Sequence, residues 1–220
     1  MKRAYKLLVF DWDGTLMDSV QRIVQCFQMT FRKGALPEPD PERVKQTIGL
    51  PLGHGIARLL PEDRRDEAQA LEQHYRDIWL GGTLPLSPLF DGAAQMLKDF
   101  HGEGYTLAVA TGKSRVGLER EMAHGQVTEL FQHTRCALET QAKPHPEMLQ
   151  QIMDAVGVAP EETLMIGDTT MDLEMALNAG ADGIGVTTGG HPRAQLMGAS
   201  PVACLDHVTH LTSHLANGGA

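Results

Sequence analysis

The stretch Leu7-Leu8-Val9-Phe10-Asp11-Trp12-Asp13-Gly14-Thr15 runs from an apolar run directly into two carboxylates and a glycine. If the apolar run is a strand, residues two apart point to the same side, so Asp11 and Asp13 face one site at its carboxyl end. Such a pair can divide its labour. One carboxylate acts as a nucleophile, while the other gives a proton to the leaving group and then takes one from water. That division suits phosphoester cleavage. An Asp-Gly turn closing a strand is the other meaning of the same residues.

Three later stretches offer groups that would complete such a site. Val109-Ala110-Thr111-Gly112 places a hydroxyl and a bare backbone at the end of another apolar run, where the Thr111 hydroxyl and the Gly112 amide can hold phosphate oxygens. Lys143, between Ala142 and the pair of prolines Pro144 and Pro146, supplies a cation on a stiffened loop, able to offset phosphoryl charge. Met165-Ile166-Gly167-Asp168 leads to Asp172, and Asp168 and Asp172 share a helix face at i and i+4. With Asp11 they form a set of hard oxygen ligands of the kind that holds magnesium. Each stretch alone also reads as an ordinary helix cap, a loop lysine or acidic residues at a helix start. Their order and their common place at strand ends favour one site.

The elements that must position these groups follow from the apolar pattern. Short β-type runs are expected at Tyr5 to Phe10, Leu107 to Ala110, Thr134 to Leu138, Thr163 to Ile166, Gly183 to Val186 and Val202 to Leu205. Helical patterns lie between them: Asp91 precedes Gly92 to Phe100, Ser114 precedes Arg115 to Ala123, and Pro146 opens Glu147 to Val156. Gly125, Gly157 and Gly180 mark helix ends. This alternation predicts an α/β class with a Rossmann-like parallel sheet core. Residues from about 19 to 84 break the rhythm. Val20, Ile23, Val24, Phe27 and Phe31 recur at helical spacing, Gly34 to Pro41 reads as a loop, and no strand is evident. An inserted α-helical cap domain over residues 18–85 is the simplest account, with residues 1–17 and 86–220 forming the core.

Composition narrows the class. The chain has 220 residues, 42% of them hydrophobic and 21% charged, which is ordinary globular usage. No run is long enough to span a membrane, and the apolar start is interrupted at Asp11 before it could serve as a signal segment. A formal net charge of -9 argues against nucleic acid and anionic lipid as partners. Cys26, Cys136 and Cys204 are widely spaced and suggest neither a disulfide framework nor a zinc knuckle. A cytoplasmic protein is expected, compatible with a monomer. His207, His210 and His214 fall at helical spacing and read as a solvated face rather than a metal site.

The four motifs, at Asp11 to Thr15, Thr111, Lys143 and Asp168 to Asp172, make the chain resemble the haloacid dehalogenase-like superfamily, and particularly its phosphoglycolate phosphatase-like branch with a helical cap after the first motif. The resemblance implies that Asp11 attacks phosphorus and Asp13 serves as acid and base. It implies that Thr111, Gly112 and Lys143 hold the phosphoryl group, and that Mg2+ is bound by Asp11, the Asp13 carbonyl and Asp168, with Asp172 in support. Gly112 stands where many relatives carry asparagine, which leaves only its amide. Trp12 replaces a smaller aliphatic residue and is taken as a packing choice without functional weight. In the cap, Thr47 to Leu52 resembles the specificity loop, and His54 and Arg58 are the candidate contacts to the leaving group. The implied partner is a small phosphorylated metabolite, phosphoglycolate first, with pyrophosphate, nucleotides and sugar phosphates behind it. Dehalogenase chemistry is disfavoured by Asp13, and phosphonatase chemistry by the lack of a convincing cap lysine, Lys45 being the nearest. A phospho-accepting signalling module needs neither a cap nor an acid-base pair.

Overall fold

The computed structural model of the protein describes residues 5–218; the basic start at Met1 to Arg3 lies outside them. Among the described residues, six parallel strands form a single sheet: β1 (Leu7–Phe10), β2 (Thr106–Ala110), β3 (His133–Arg135), β4 (Thr163–Gly167), β5 (Asp182–Val186) and β6 (Ala203–Leu205), in the order β3-β2-β1-β4-β5-β6. The α/β reading therefore holds. The chain builds outward from β1 to one edge, then restarts beside β1 with β4 and builds to the other. The break between β1 and β4 leaves a crevice at the carboxyl ends of those strands, where open α/β sheets bind their ligands.

Both faces of the sheet are covered, so the strands can be apolar throughout. Leu8, Phe10, Leu107, Val109 and Ile166 pack on one side with Met96, Leu97 and Phe100 of α5 (Ala93–Gly102) and Leu118 and Met122 of α6 (Arg115–His124). Leu7, Val9, Ala108 and Met165 pack on the other with Leu149 and Ile152 of α7 (Glu147–Val156) and Met175 and Ala176 of α8 (Thr170–Ala179). Alternation along β1 thus assigns successive residues to opposite cores.

Residues 20–80 contain helices and no strand: α1 (Val20–Lys33), α2 (Pro41–Lys45), α3 (Leu52–Leu59) and α4 (Ala68–Leu80), the last preceded by a 3-10 turn at Glu62–Glu67. Val20, Ile23, Val24, Phe27 and Phe31 line one face of α1 and meet Ile56, Leu59, Leu71 and Trp79 in an apolar cluster separate from those on the sheet. The two chain crossings lie side by side. Asp18 N–H donates to the Pro88 carbonyl at 3.0 Å, and Phe90 N–H donates to that of Leu16 at 2.9 Å.

Local differences from the sequence expectation have identifiable causes. The third strand ends at Arg135, not Leu138: Cys136 stays in the core, but Leu138 has φ +70 and an 89% exposed side chain, so the backbone turns outward there. Asp91 does not cap α5. The N-cap is Gly92 in the left-handed region, φ +79, with no side-chain cap bond. Ser114 does cap α6, accepting from Gly117 N–H, and α7 opens after Pro146 as expected. Short helices α9 (Arg193–Gly198) and α10 (His210–Ala216) complete the chain. His207 lies ahead of α10, its Nδ1 paired with the Thr209 hydroxyl, so the histidines do not form one helical face.

Candidate active site

Strand pairing brings the first and last motifs together. Asp11 N–H donates to the Ile166 carbonyl at 2.8 Å, extending the β1–β4 ladder by one residue and setting the Asp11 carboxylate beside the loop that begins at Gly167. One oxygen each from Asp11, Asp168 and Asp172 lies within 4.8 Å of the others, and all three residues are buried. Lys143 reaches the cluster from the loop before α7, with its Nζ 2.9 Å from Asp11 Oδ1 and 2.5 Å from Asp172 Oδ1.

The carboxylates are held differently. Asp168 accepts from the Thr15 hydroxyl at 2.8 Å and from Gly190 N–H at 2.7 Å. Asp172 has both oxygens engaged: Oδ1 pairs with Lys143, while Oδ2 accepts from Thr169 N–H and its hydroxyl at 3.0 and 2.7 Å, closing a capping box on α8. Asp11 Oδ1 is buried and pairs with the Lys143 ammonium, which it shares with Asp172. Gly14 permits the close approach of the β1 loop: its φ is +80, and a Cβ there would stand 2.6 Å from Asp168 Oδ2.

Three buried carboxylates face one ammonium, and the proton affinities record the imbalance. Burial raises the Asp11 pKa to about 6; Lys143 opposes the rise and Asp172 adds to it. Asp168 is pushed well above the carboxylate range by burial, then by the charges of Asp11 and Asp172. Burial works against the Lys143 charge, but the two carboxylates outweigh it and raise its pKa. A divalent cation fits this donor set. It is hard, it takes carboxylate oxygens, and it would supply the positive charge that the cluster lacks.

Asp13 does not join the cluster with its side chain. Its Oδ1 accepts from the Ser19 hydroxyl at 2.6 Å, and Lys113 Nζ lies 3.0 and 2.7 Å from its two oxygens. Thr111 is buried beyond the end of β2, its hydroxyl accepting from Lys113 N–H at 3.2 Å. Gly112 is exposed, and a Cβ added there would stand 3.6 Å from the Gly49 carbonyl of the helical segment. A Cβ added at Gly49 would stand 2.7 Å from Met171 Cε and 3.2 Å from Thr169, and one at Gly190 3.2 Å from Ile48 Cβ, so residues 48–49 lie close against the carboxyl ends of the strands.

Residues 8–186 match the model of the haloacid dehalogenase-like hydrolase family. The chain belongs to that family. Among curated relatives of this hydrolase, the probable phosphatase IndB of Dickeya dadantii is 36% identical over 204 residues, covering 91% of this chain and 89% of that one. A 5'-nucleotidase of Pseudomonas aeruginosa is 31% identical, covering 96% and 93%. A phosphoglycolate phosphatase of Aliivibrio fischeri is 27% identical, covering 96% of each. A haloacid dehalogenase-like family hydrolase from Streptococcus pneumoniae shares the fold, with a TM-score of 0.83 at 24% identity over 96% of this chain and 98% of that one.

In this hydrolase the sequence-predicted residues divide into groups. Asp11, Lys143, Asp168 and Asp172 meet; Thr111 and Asp13 flank them through Lys113. His54 and Arg58 on α3 are both exposed. Burial lowers the His191 pKa against the pull of Asp172, and the Arg58 charge adds to the lowering. Lys45 pairs with Glu42 at 2.7 Å. Trp12 is not a neutral filler, because its buried Nε1 donates to Glu121 Oε2 at 2.9 Å. Sequence reasoning passed over Lys113, Glu121, Ser19 and Arg22. The one signal for them was Trp12 itself, since a buried indole N–H requires an acceptor.

Proposed function

We propose that this enzyme is a magnesium-dependent phosphatase that cleaves a small phosphate monoester through a phosphoryl group carried on Asp11. The phosphatase class follows from the family and from relatives bearing that name; the metal, the residue roles and the substrate are the proposal. The observation that carries it is the buried Asp11 carboxylate at the β1–β4 switch point, 2.9 Å from the Lys143 ammonium and within 4.8 Å of the Asp168 and Asp172 oxygens.

An Asp11 oxygen attacks phosphorus, and the bond from phosphorus to the leaving oxygen breaks as Asp13 gives that oxygen a proton. Water then attacks the phosphoryl group, Asp13 takes its proton, and the bond to Asp11 breaks. Lys143, the Thr111 hydroxyl and the Gly112 amide hold the phosphoryl oxygens. Asp172 keeps Lys143 in place with one oxygen and ties α8 with the other. Asp11, Asp168 and the Asp13 carbonyl would hold Mg2+, whose charge favours binding of the phosphate dianion and charge development on the transferring group. Asp172 remains within the same 4.8 Å.

The helical segment over residues 18–85 acts as a cap. Its Thr47 to Leu52 turn, with Arg58 and His54 beyond, faces the leaving group. A carboxylated leaving group suits Arg58, because a guanidinium binds carboxylate through two hydrogen bonds. Phosphoglycolate is therefore the first substrate to test, and the 31% identity to a 5'-nucleotidase supports nucleoside monophosphates as a second. Phosphate release from both, from pyrophosphate and from sugar phosphates, with and without Mg2+, separates them. Turnover of phosphoglycolate only with Mg2+ is expected. A preference for nucleotides removes the assignment to Arg58, and turnover unchanged by chelation removes the metal.

A further inference from the structure

Lys113 has no counterpart among the groups that touch phosphate, yet it is buried and doubly paired. Its Nζ lies 2.7 Å from Asp13 Oδ2 and 3.3 Å from Glu121 Oε2. Glu121, on α6, has a side chain only 1% exposed and serves three donors: Lys113, the Trp12 indole at 2.9 Å and Arg22 Nη1 at 2.9 Å. Burial raises the Glu121 pKa, with Lys113 opposing. Trp79, near the end of α4, faces both cations: its ring centroid lies 4.4 Å from Lys113 Nζ and 3.9 Å from Arg22 Cζ. Its carbonyl accepts from Arg22 Nη2 at 3.0 Å. Tyr75 is stacked on Trp79 with ring centroids 5.7 Å apart.

Two carboxylates and two cations thus balance, with each anion touching a cation, which is the condition under which charges can stay away from water. We propose that Lys113 and Glu121 are positioning residues for Asp13, and that Trp79 of the helical segment completes their cage. The inference rests on the phosphatase reading above and extends it to a group outside the phosphate-binding set.

The argument is geometric. Asp13 has to reach the leaving oxygen and then a water within about 2.6–3.2 Å, so its carboxylate must be aimed. Ser19 fixes one oxygen and Lys113 spans both. A lysine stem is flexible, and an ammonium left to itself would wander. Glu121 and the Trp79 face remove that freedom. Arg22 and Trp79 stand near the two ends of the helical segment, whereas Lys113, Glu121 and Asp13 belong to the sheet side. The cage is therefore closed only when the segment packs on the core as seen here, and aiming of Asp13 depends on that packing.

The test compares kcat/KM for the best alkyl phosphate of the panel with that for p-nitrophenyl phosphate, whose leaving group needs little protonation. Glu121→Gln and Trp79→Leu should lower the alkyl value about 10- to 100-fold, a partial loss of the 10²–10⁴ that a positioned acid contributes, and the p-nitrophenyl value by much less. Trp79→Phe, which keeps an aromatic face, should recover most of the loss. On an Asp13→Asn background the further loss from Trp79→Leu should vanish, because residues acting through one group are not additive. Should Glu121→Gln fail to fold, the two Trp79 variants carry the test. Equal falls on both esters, or an undiminished Trp79 effect without Asp13, would overturn the inference. A parent enzyme that hydrolyses neither ester overturns instead the phosphatase reading beneath it.

Discussion

Replacing Asp11 by asparagine should abolish turnover and at the same time make the metal-free protein more stable at neutral pH. Asp11 is buried, and its pKa stands at about 6 against an ordinary 3.8. A folded pKa above the unfolded one means stability that is fully present below 3.8 and is lost as pH rises through about 6. The interval from 3.8 to about 6, at about 1.4 kcal/mol for each pKa unit, corresponds to about 3 kcal/mol at pH 7.5. Asparagine removes that cost but also one of the two anions paired with Lys143, so a net gain of about 1–3 kcal/mol is expected. In a chain of this size each kcal/mol moves Tm by about 2–4 °C. Urea unfolding in EDTA at pH 7.5 and pH 4 measures the effect, with the advantage of Asp11→Asn present at the first and gone at the second. Saturating Mg2+ at pH 7.5 should stabilise the parent, by about 2.7 kcal/mol at a hundredfold excess over Kd, and the variant much less. A variant less stable than the parent at pH 7.5 in EDTA, or equally advantaged at pH 4, would refute the reading of Asp11 as a buried carboxylate whose charge Lys143 only partly offsets.

Other perturbations separate the remaining roles. Asp13→Asn should leave attack by Asp11 possible while slowing the release of phosphate; rapid quench with p-nitrophenyl phosphate and intact-mass measurement should then find the added phosphoryl group, and the lack of an adduct, with equal loss on activated and unactivated esters, would count against the acid-base role. Arg58→Ala or His54→Ala should raise KM for phosphoglycolate and leave p-nitrophenyl phosphate nearly unchanged, as expected when only ground-state binding is lost; equal losses on both remove them from substrate recognition. Gly49→Ala should weaken the seat of the segment on the core, because Gly49 has φ +90 and a Cβ there would stand 2.7 Å from Met171 Cε and 3.2 Å from Thr169. The left-handed conformation alone costs about 1–2 kcal/mol for a residue with a Cβ, so a higher KM and lower kcat together are the expected result.

The parts of the site carried by strand ends were legible in the sequence because a parallel strand buried on both faces leaves a contrast: apolar residues up to the last, then a carboxylate or hydroxyl. Asp11, Thr111 and Asp168 each follow such a run. What the runs do not contain is their order in the sheet. That β4 returns beside β1, bringing Asp168 to Asp11, is a property of pairing between residues far apart in the chain. The third strand was overextended for a related reason, since an apolar residue such as Leu138 announces burial only if the backbone keeps its direction, and here it turns to φ +70.

The charged cage around Asp13 was hidden for a different reason. Glu121 sits on the face of α6 that carries Leu118 and Met122 into the core, so the helical pattern predicts an apolar residue there and offers no account of a glutamate. A buried charge becomes intelligible through its counter-charge, and Arg22 lies 99 residues earlier in the chain. Trp12 carries the only local trace, because an indole in place of a small aliphatic residue brings a donor into the core that an apolar environment cannot satisfy. Followed through, that one N–H leads to Glu121, from Glu121 to Lys113 and Arg22, and from Lys113 to the Asp13 carboxylate. On the reading proposed for Asp13, the Trp12 indole is thus tied into the group of charges that aims that carboxylate.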